Sequence, residues 1–206
     1  MKIGILGSGN IGGTLGRHWA RAGHEVFFAS RHPEQLAGLV REAGPGARAG
    51  TLTEAISFSD LLLDALPYAA SLQLDARALT GKVLISASNY YPRRDGQVDL
   101  GGRSQTELLA SRLPGARVVK AFNMMFATEM EKRTHGEQHA EVVILLAGDD
   151  AEAKARAAQL IREATFAPVD AGGLADGRFF ESGGPMYAKY FTASEAQETL
   201  RKLKQG

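Results

Sequence analysis

Residues 1–31 read MKIGILGSGNIGGTLGRHWARAGHEVFFASR, and this stretch decides the fold. Lys2 to Leu6 is a short apolar run that stops at a glycine. From Asn10 to Ala22 the pattern becomes helical, because Ile11, Leu15, Trp19 and Ala22 recur at three- and four-residue spacing. Gly23 ends that helix, and Glu25 to Ala29, rich in Val and Phe, reads as a second strand. Between the first strand and the helix stand Gly7, Gly9 and Gly12, spaced G-x-G-x-x-G. Alone that spacing is a weak signal. Here it follows a strand and opens a helix, the context that gives it meaning. Gly7 permits the tight turn. Gly9 lets backbone N–H groups approach a pyrophosphate with no Cβ in the way. Gly12 lets the helix pack closely on the strand with its positive N-terminus toward the anion. The expected cofactor loop is therefore Gly7, Ser8, Gly9, Asn10, Ile11 and Gly12. The bland alternative is a strand–turn–helix that merely tolerates glycine.

The second strand ends in Ser30, Arg31 and His32. An NAD-binding unit places Asp or Glu there to accept from the ribose 2′-OH. An acid would repel a 2′-phosphate, whereas a guanidinium grips it bidentately. Ser30 adds a hydroxyl, and His32 a further donor. The three together point to NADP(H). Arg31 as a solvated surface arginine and His32 as a turn residue before Pro33 are the competing readings.

Working outward, strand and helix keep alternating. Pro33 suits the first turn of a helix running to about Ala43, and a short third strand lies in GPGARAGT. Leu61 to Leu66, Val83 to Ala87, Arg117 to Ala121 and Val142 to Ala147 are further apolar runs. Helical stretches near Tyr68–Leu79, Ser104–Arg112 and Asp150–Ala164 separate most of them. Strands apolar on both faces mark a parallel sheet covered by helices on each side. The expected class is α/β, a doubly wound, mostly parallel sheet.

Composition sets the outer limits. The chain has 206 residues, of which 44% are apolar, enough for one large domain or a main domain with an appendage. A net charge of +1 gives no field that argues for nucleic acid or an anionic membrane. The absence of Cys excludes disulfides, thiolate metal sites and cysteine nucleophiles, and fits a cytoplasmic protein. No apolar run approaches a membrane span, and the apolar start is too short for a signal peptide.

Three stretches strengthen a resemblance. The first 31 residues, RVVKAFN (Arg117 to Asn123) and PVDAGGLADGRFFES (Pro168 to Ser182) resemble the F420-dependent NADP reductase family, to whose wider group the nucleotide-binding domain of the STEAP metalloreductases belongs. The resemblance implies a Rossmann-type NADP(H)-binding domain, taken as residues 1–137. It also implies a small C-terminal α/β part, 138–206, that closes a cleft and supports a homodimer. The last strands either belong to that part or extend the main sheet. The resemblance further implies hydride transfer between the nicotinamide and a deazaflavin (F420) or flavin ring, with no protein acid or nucleophile at the transfer. The partner would be a small-molecule redox substrate. The rivals are an imine or carbonyl reductase, which needs a proton donor from Tyr90, Tyr91, Lys120 or His135, and a module that binds NADP(H) without turnover.

Residues at strand ends complete the reading. Pro67, Asn89 and Asn123 are expected along the cofactor path, although Pro67 also suits a helix start and Asn89 a plain turn. Asp64 interrupts an apolar strand, which is costly unless the carboxyl is paired or protonated. It faces the crevice with a raised pKa, or it makes a structural hydrogen bond. Tyr90 and Tyr91, with Arg93 and Arg94, could wall a heterocycle or hold an acidic substrate. Lys120 reads as a charge at a sheet margin, His18 and His24 as surface, and Met124, Met125 and Phe126 as core or interface. His135 and His139, four apart, could suit a metal, but their polar, glycine-containing surroundings favour a solvated loop, so no metal is expected.

Overall fold

A computed structural model describes residues 1–134 and 142–205. The domain boundary expected near Glu137, and the pair His135 and His139, lie outside the described residues. Elements follow in the order β1 (Lys2–Leu6), α1 (Asn10–Arg21), β2 (Glu25–Ala29), α2 (Ala37–Ala43), β3 (Ala47–Gly50), α3 (Leu52–Phe58) and β4 (Leu61–Asp64). Two single turns follow, α4 (Tyr68–Ser71) and α5 (Ala76–Leu79), then β5 (Val83–Ser86), α6 (Pro92–Asp95), α7 (Gln105–Arg112) and β6 (Arg117–Lys120). The chain continues through α8 (Ala127–Thr134), β7 (Val143–Gly148), α9 (Ala151–Glu163), β8 (Ala167–Gly172) and α10 (Ala193–Gln205).

All eight strands form one sheet in the order β3-β2-β1-β4-β5-β6-β7-β8. Pairing is parallel except between β6 and β7, which run antiparallel. The first six strands carry the doubly wound order whose switch point lies between β1 and β4. Strands β7 and β8 extend this main sheet, the second of the two arrangements the sequence allowed.

The strands are apolar on both faces because helices cover both. Ile3, Ile5, Leu63 and Ile85 point to one core with α1 and α9. Leu6, Leu62, Leu84 and Val118 point to the other, with Tyr68 and Leu109. Trp19 on α1 is fully buried; its indole N–H donates to the Leu160 carbonyl at 3.1 Å and its ring meets Phe122 edge-on at 5.7 Å. Gly12 makes the α1–β1 contact possible. A Cβ there would lie 2.9 Å from Ile5 Cγ2 and closer still to the Gly7 carbonyl oxygen.

Candidate active site

The site forms where β1 and β4 diverge. Gly7 has φ +98°, a conformation costly for any side chain but glycine's, and it turns the chain from β1 into α1. The residue before α1 is Gly9, so no side chain caps the helix, and its first turn carries no acid. Its first N–H groups therefore keep their positive end open to an anion. A Cβ on Gly9 would meet no protein atom within 4 Å. The Ser8 hydroxyl donates to the Ala29 carbonyl at 2.9 Å and ties this loop to the end of β2.

A cavity of about 320 Å³ opens beside the loop. Gly9, Asn10 and Ile11 form one wall. The segments after β4, β5 and β6 form the floor, through Pro67, Ser88, Asn89 and Asn123. Tyr91, Arg94 and Tyr187 close the far side, with Met125 and Phe126. A second cavity of about 390 Å³ lies on the other flank of the loop, between Ser8, Thr14, Leu39 and Thr128.

The two asparagines hold each other. The Asn89 amide donates to the Asn123 carbonyl at 2.7 Å, and the Asn123 amide donates to Asn89 Oδ1 at 3.1 Å and to the Phe180 carbonyl at 2.8 Å. The Ser182 N–H also reaches Asn89 Oδ1, at 3.2 Å. The Asn89 side chain is thus committed to the protein. Asn123 Oδ1, by contrast, is buried without a hydrogen-bond partner among the described residues. Phe122, just before it, sits at φ +62°, a conformation costly for a non-glycine residue and held here by full burial.

The loop after β5 separates its two tyrosines. Tyr90 turns inward against Tyr68, with centroids 5.8 Å apart, and its hydroxyl donates to the Gly96 carbonyl. Tyr91 faces the cavity, where its hydroxyl contacts that of Tyr187. Burial, reinforced by this contact, raises the Tyr187 pKa. Arg94 lies over the Tyr91 ring, 5.0 Å from its centroid, and donates to the Asn89 carbonyl at 2.6 Å.

Under the floor, Asp64 on β4, Ser86 on β5 and Lys120 on β6 are in register. All three are buried. Burial raises the Asp64 pKa, against hydrogen bonds from Ser71, the Leu66 N–H and Ser86 and the charge of Lys120. Burial lowers Lys120 to about 8, against the charges of Glu181 and Asp64. Lys120 is thus a buried cation whose ammonium donates to the Ser88 carbonyl, not a charge at a sheet margin.

Of the residues the sequence singled out, Gly9, Asn10, Ile11, Pro67, Asn89 and Asn123 meet in one cavity. Gly7 and Gly12 shape the loop, and Ser8 lines the neighbouring cavity. Ser30, Arg31 and His32 line neither. They lie at the end of β2, with Arg31 and His32 exposed. Ser30 Oγ accepts from the His32 N–H, and the His32 ring lies 3.4 Å from the Glu34 carboxylate. Among the described residues no group of three or more His, Asp or Glu could hold a metal. His24 is half-buried at the surface: its ring contacts Glu163 at 2.8 Å and is 11% exposed. Glu181 escaped the sequence reading as a buried group. It caps α7, accepting from the Gln105 and Thr106 N–H groups and the Thr106 hydroxyl.

These features define a class: a dinucleotide-binding α/β domain with its crevice at the carboxyl ends of the parallel strands. Residues 2–90 match the family described as NADP oxidoreductase, coenzyme F420-dependent. Rat metalloreductase STEAP3 (Rattus norvegicus) is 33% identical over 183 residues, 88% of this chain and 36% of that protein. The chain thus spans about a third of the length of its metalloreductase relatives. A hypothetical protein, SMa0349 from Sinorhizobium meliloti, superposes with a TM-score of 0.77 at 32% identity, covering 93% of this chain and 95% of that one. A protein described as an F420-dependent NADP-reductase from Arthrobacter sp. FB24 gives 0.73 at 28% identity, covering 86% and 87%.

Proposed function

We propose that this chain binds NADP(H) and passes hydride between the nicotinamide and a deazaflavin- or flavin-like small redox partner in the cavity. One observation carries the reading. Asn123, whose buried Oδ1 has no hydrogen-bond partner among the described residues, lines the same cavity as the open N-terminus of α1. A buried acceptor without a donor costs about 1–3 kcal/mol, and a carboxamide or ribose hydroxyl would satisfy it. The residues therefore fit a dinucleotide: the glycine loop for the pyrophosphate, Arg31 for the 2′-phosphate, and Asn123 for the nicotinamide end.

The bound dinucleotide supplies the hydride. The chain supplies position and dryness. Asn89 spends its side chain fixing Asn123. Tyr91, Arg94 and Tyr187 form a polar wall that can face a second ring, and Met125 and Phe126 keep part of the cavity apolar. Among the described residues no helix is long and apolar enough to cross a membrane. The expected homodimer belongs to this reading, with the aromatic stretch 184–191 as its contact, and sedimentation measures it.

The test is spectroscopic. Purified protein is mixed with NADPH and, in turn, F420, FMN, FAD, a ferric chelate and a cyclic imine, and the nicotinamide absorbance is followed. Oxidation with a deazaflavin or flavin is expected. Tight NADPH binding without oxidation by any acceptor would replace the enzyme with a binding module.

A further inference from the structure

A chain of polar groups runs from the buried sheet to the cavity floor. Asp64 Oδ1 accepts from the Ser71 hydroxyl at 2.9 Å and the Leu66 N–H at 3.2 Å. Asp64 Oδ2 faces the Ser86 hydroxyl at 3.2 Å. Ser86 Oγ lies 2.9 Å from Ser88 Oγ, and Ser88 lines the cavity. We propose that Asp64, Ser86 and Ser88 form a hydroxyl relay that carries a proton between a buried carboxyl and the substrate in the cavity. The proposal rests on the oxidoreductase reading above and adds a proton source to it.

The geometry fits the task. A serine hydroxyl both donates and accepts, so two in series pass a proton without moving a heavy atom. Two donors already occupy Oδ1, which leaves Oδ2 to carry the proton toward Ser86. The groups facing Asp64 are Lys120 from β6, Ser86 from β5, Ser71 and Tyr68 from α4, and the Leu66 N–H. Burial holds the carboxyl toward its neutral form, and the Lys120 ammonium offsets the charge once the proton leaves. The competing hydroxyls in the cavity, Tyr91 and Tyr187, bond to each other, and Tyr187 is a weakened acid.

The step balances. An acceptor of the flavin or imine class takes a hydride from a reduced nicotinamide and a proton from Ser88 Oγ. Ser88 regains its proton from Ser86, and Ser86 from Asp64. The Asp64 O–H bond breaks and a carboxylate remains. The nicotinamide is oxidised and the acceptor reduced. Water in the open cavity returns the proton along the same path.

Two measurements test the relay. Infrared spectra of the ligand-free protein should show a protonated carboxyl band at neutral pH, absent in Asp64→Asn and displaced in Ser86→Ala. Single-turnover oxidation of NADPH should carry a solvent deuterium isotope effect. Both variants should lose that effect and slow on the order of 10²-fold, as removal of a general acid does, while still binding NADPH. Absence of the band, or unchanged rate and isotope effect in both variants, would overturn the relay and leave the oxidoreductase standing. If no acceptor is reduced by the unaltered protein, the oxidoreductase reading fails and takes the relay with it.

Discussion

Asn89 and Asn123 are locked in a reciprocal pair across the ends of β5 and β6, each amide donating to an oxygen of the other. The pair spans 34 residues of sequence and fixes Asn123, whose buried Oδ1 has no hydrogen-bond partner among the described residues. Asn89→Ala would strip partners from the Asn123 carbonyl and the Ser182 N–H, both in buried or part-buried positions. Such loss costs about 1–3 kcal/mol, so the urea midpoint should fall with the slope unchanged. NADPH affinity should fall with it. A variant of unaltered stability would show that the pair is dispensable.

Arg31 is exposed and makes no hydrogen bond or ion pair among the described residues, so its guanidinium is available to a ligand. Arg31→Asp should weaken NADPH far more than NADH. One charge-assisted contact is worth about 1.5–3 kcal/mol, or on the order of 10- to 100-fold in Kd. Fluorescence titration with both nucleotides reads the ratio. Equal loss for the two removes Arg31 from the 2′-phosphate site.

Gly12 tests the packing of the glycine loop. Gly12→Ala would drive a methyl into the Gly7 carbonyl and Ile5 Cγ2, two positions with little freedom to retreat. Overpacking of this kind costs about 1–3 kcal/mol. Both thermal stability and NADPH binding should drop. Gly9→Ala, whose methyl would enter open space, should leave stability nearly unchanged while weakening the nucleotide. A stability loss at Gly9 equal to that at Gly12 would contradict the division of roles.

Much of this was legible because local signals and tertiary demands agree. The glycine loop, the apolar strands and their alternation with helices announce the doubly wound sheet, and strand ends announce where a crevice must lie. Helix α3 escaped the sequence reading because its apolar pattern is short, although Thr51 and Glu54 form a capping box at its start. The reversed direction of β7 was not, because an apolar run carries no sign. Lys120 reads as solvated from its residue type, and only the covering of β6 by neighbouring elements makes it a core residue. Glu181 meets α7 from 75 residues away, a distance no local pattern spans. Met125 is core, as its composition suggests, and also touches the cavity, whereas Phe126 lines the cavity and is 59% exposed.

Lys120 gives the clearest pH signature. Its folded pKa is lowered to about 8 from an ordinary 10.5, first because burial penalises the ammonium. Between those values the unfolded chain holds a proton that the folded chain has released. Stability therefore rises with pH wherever the unfolded state binds more protons. Below about 8 both states are protonated and the full cost of burying the charge is present. Above 10.5 both are neutral and the cost is gone. Lys120→Met keeps similar volume and removes the ionisation. The stability of the unaltered protein relative to Lys120→Met should thus climb from pH 8 to 10.5 and be flat on either side. Urea denaturation of both proteins at half-unit steps across that window measures the difference. A flat difference throughout would mean that Lys120 keeps its proton in the folded state, and that the carbonyl of Ser88 and the charges of Asp64 and Glu181 outweigh its burial.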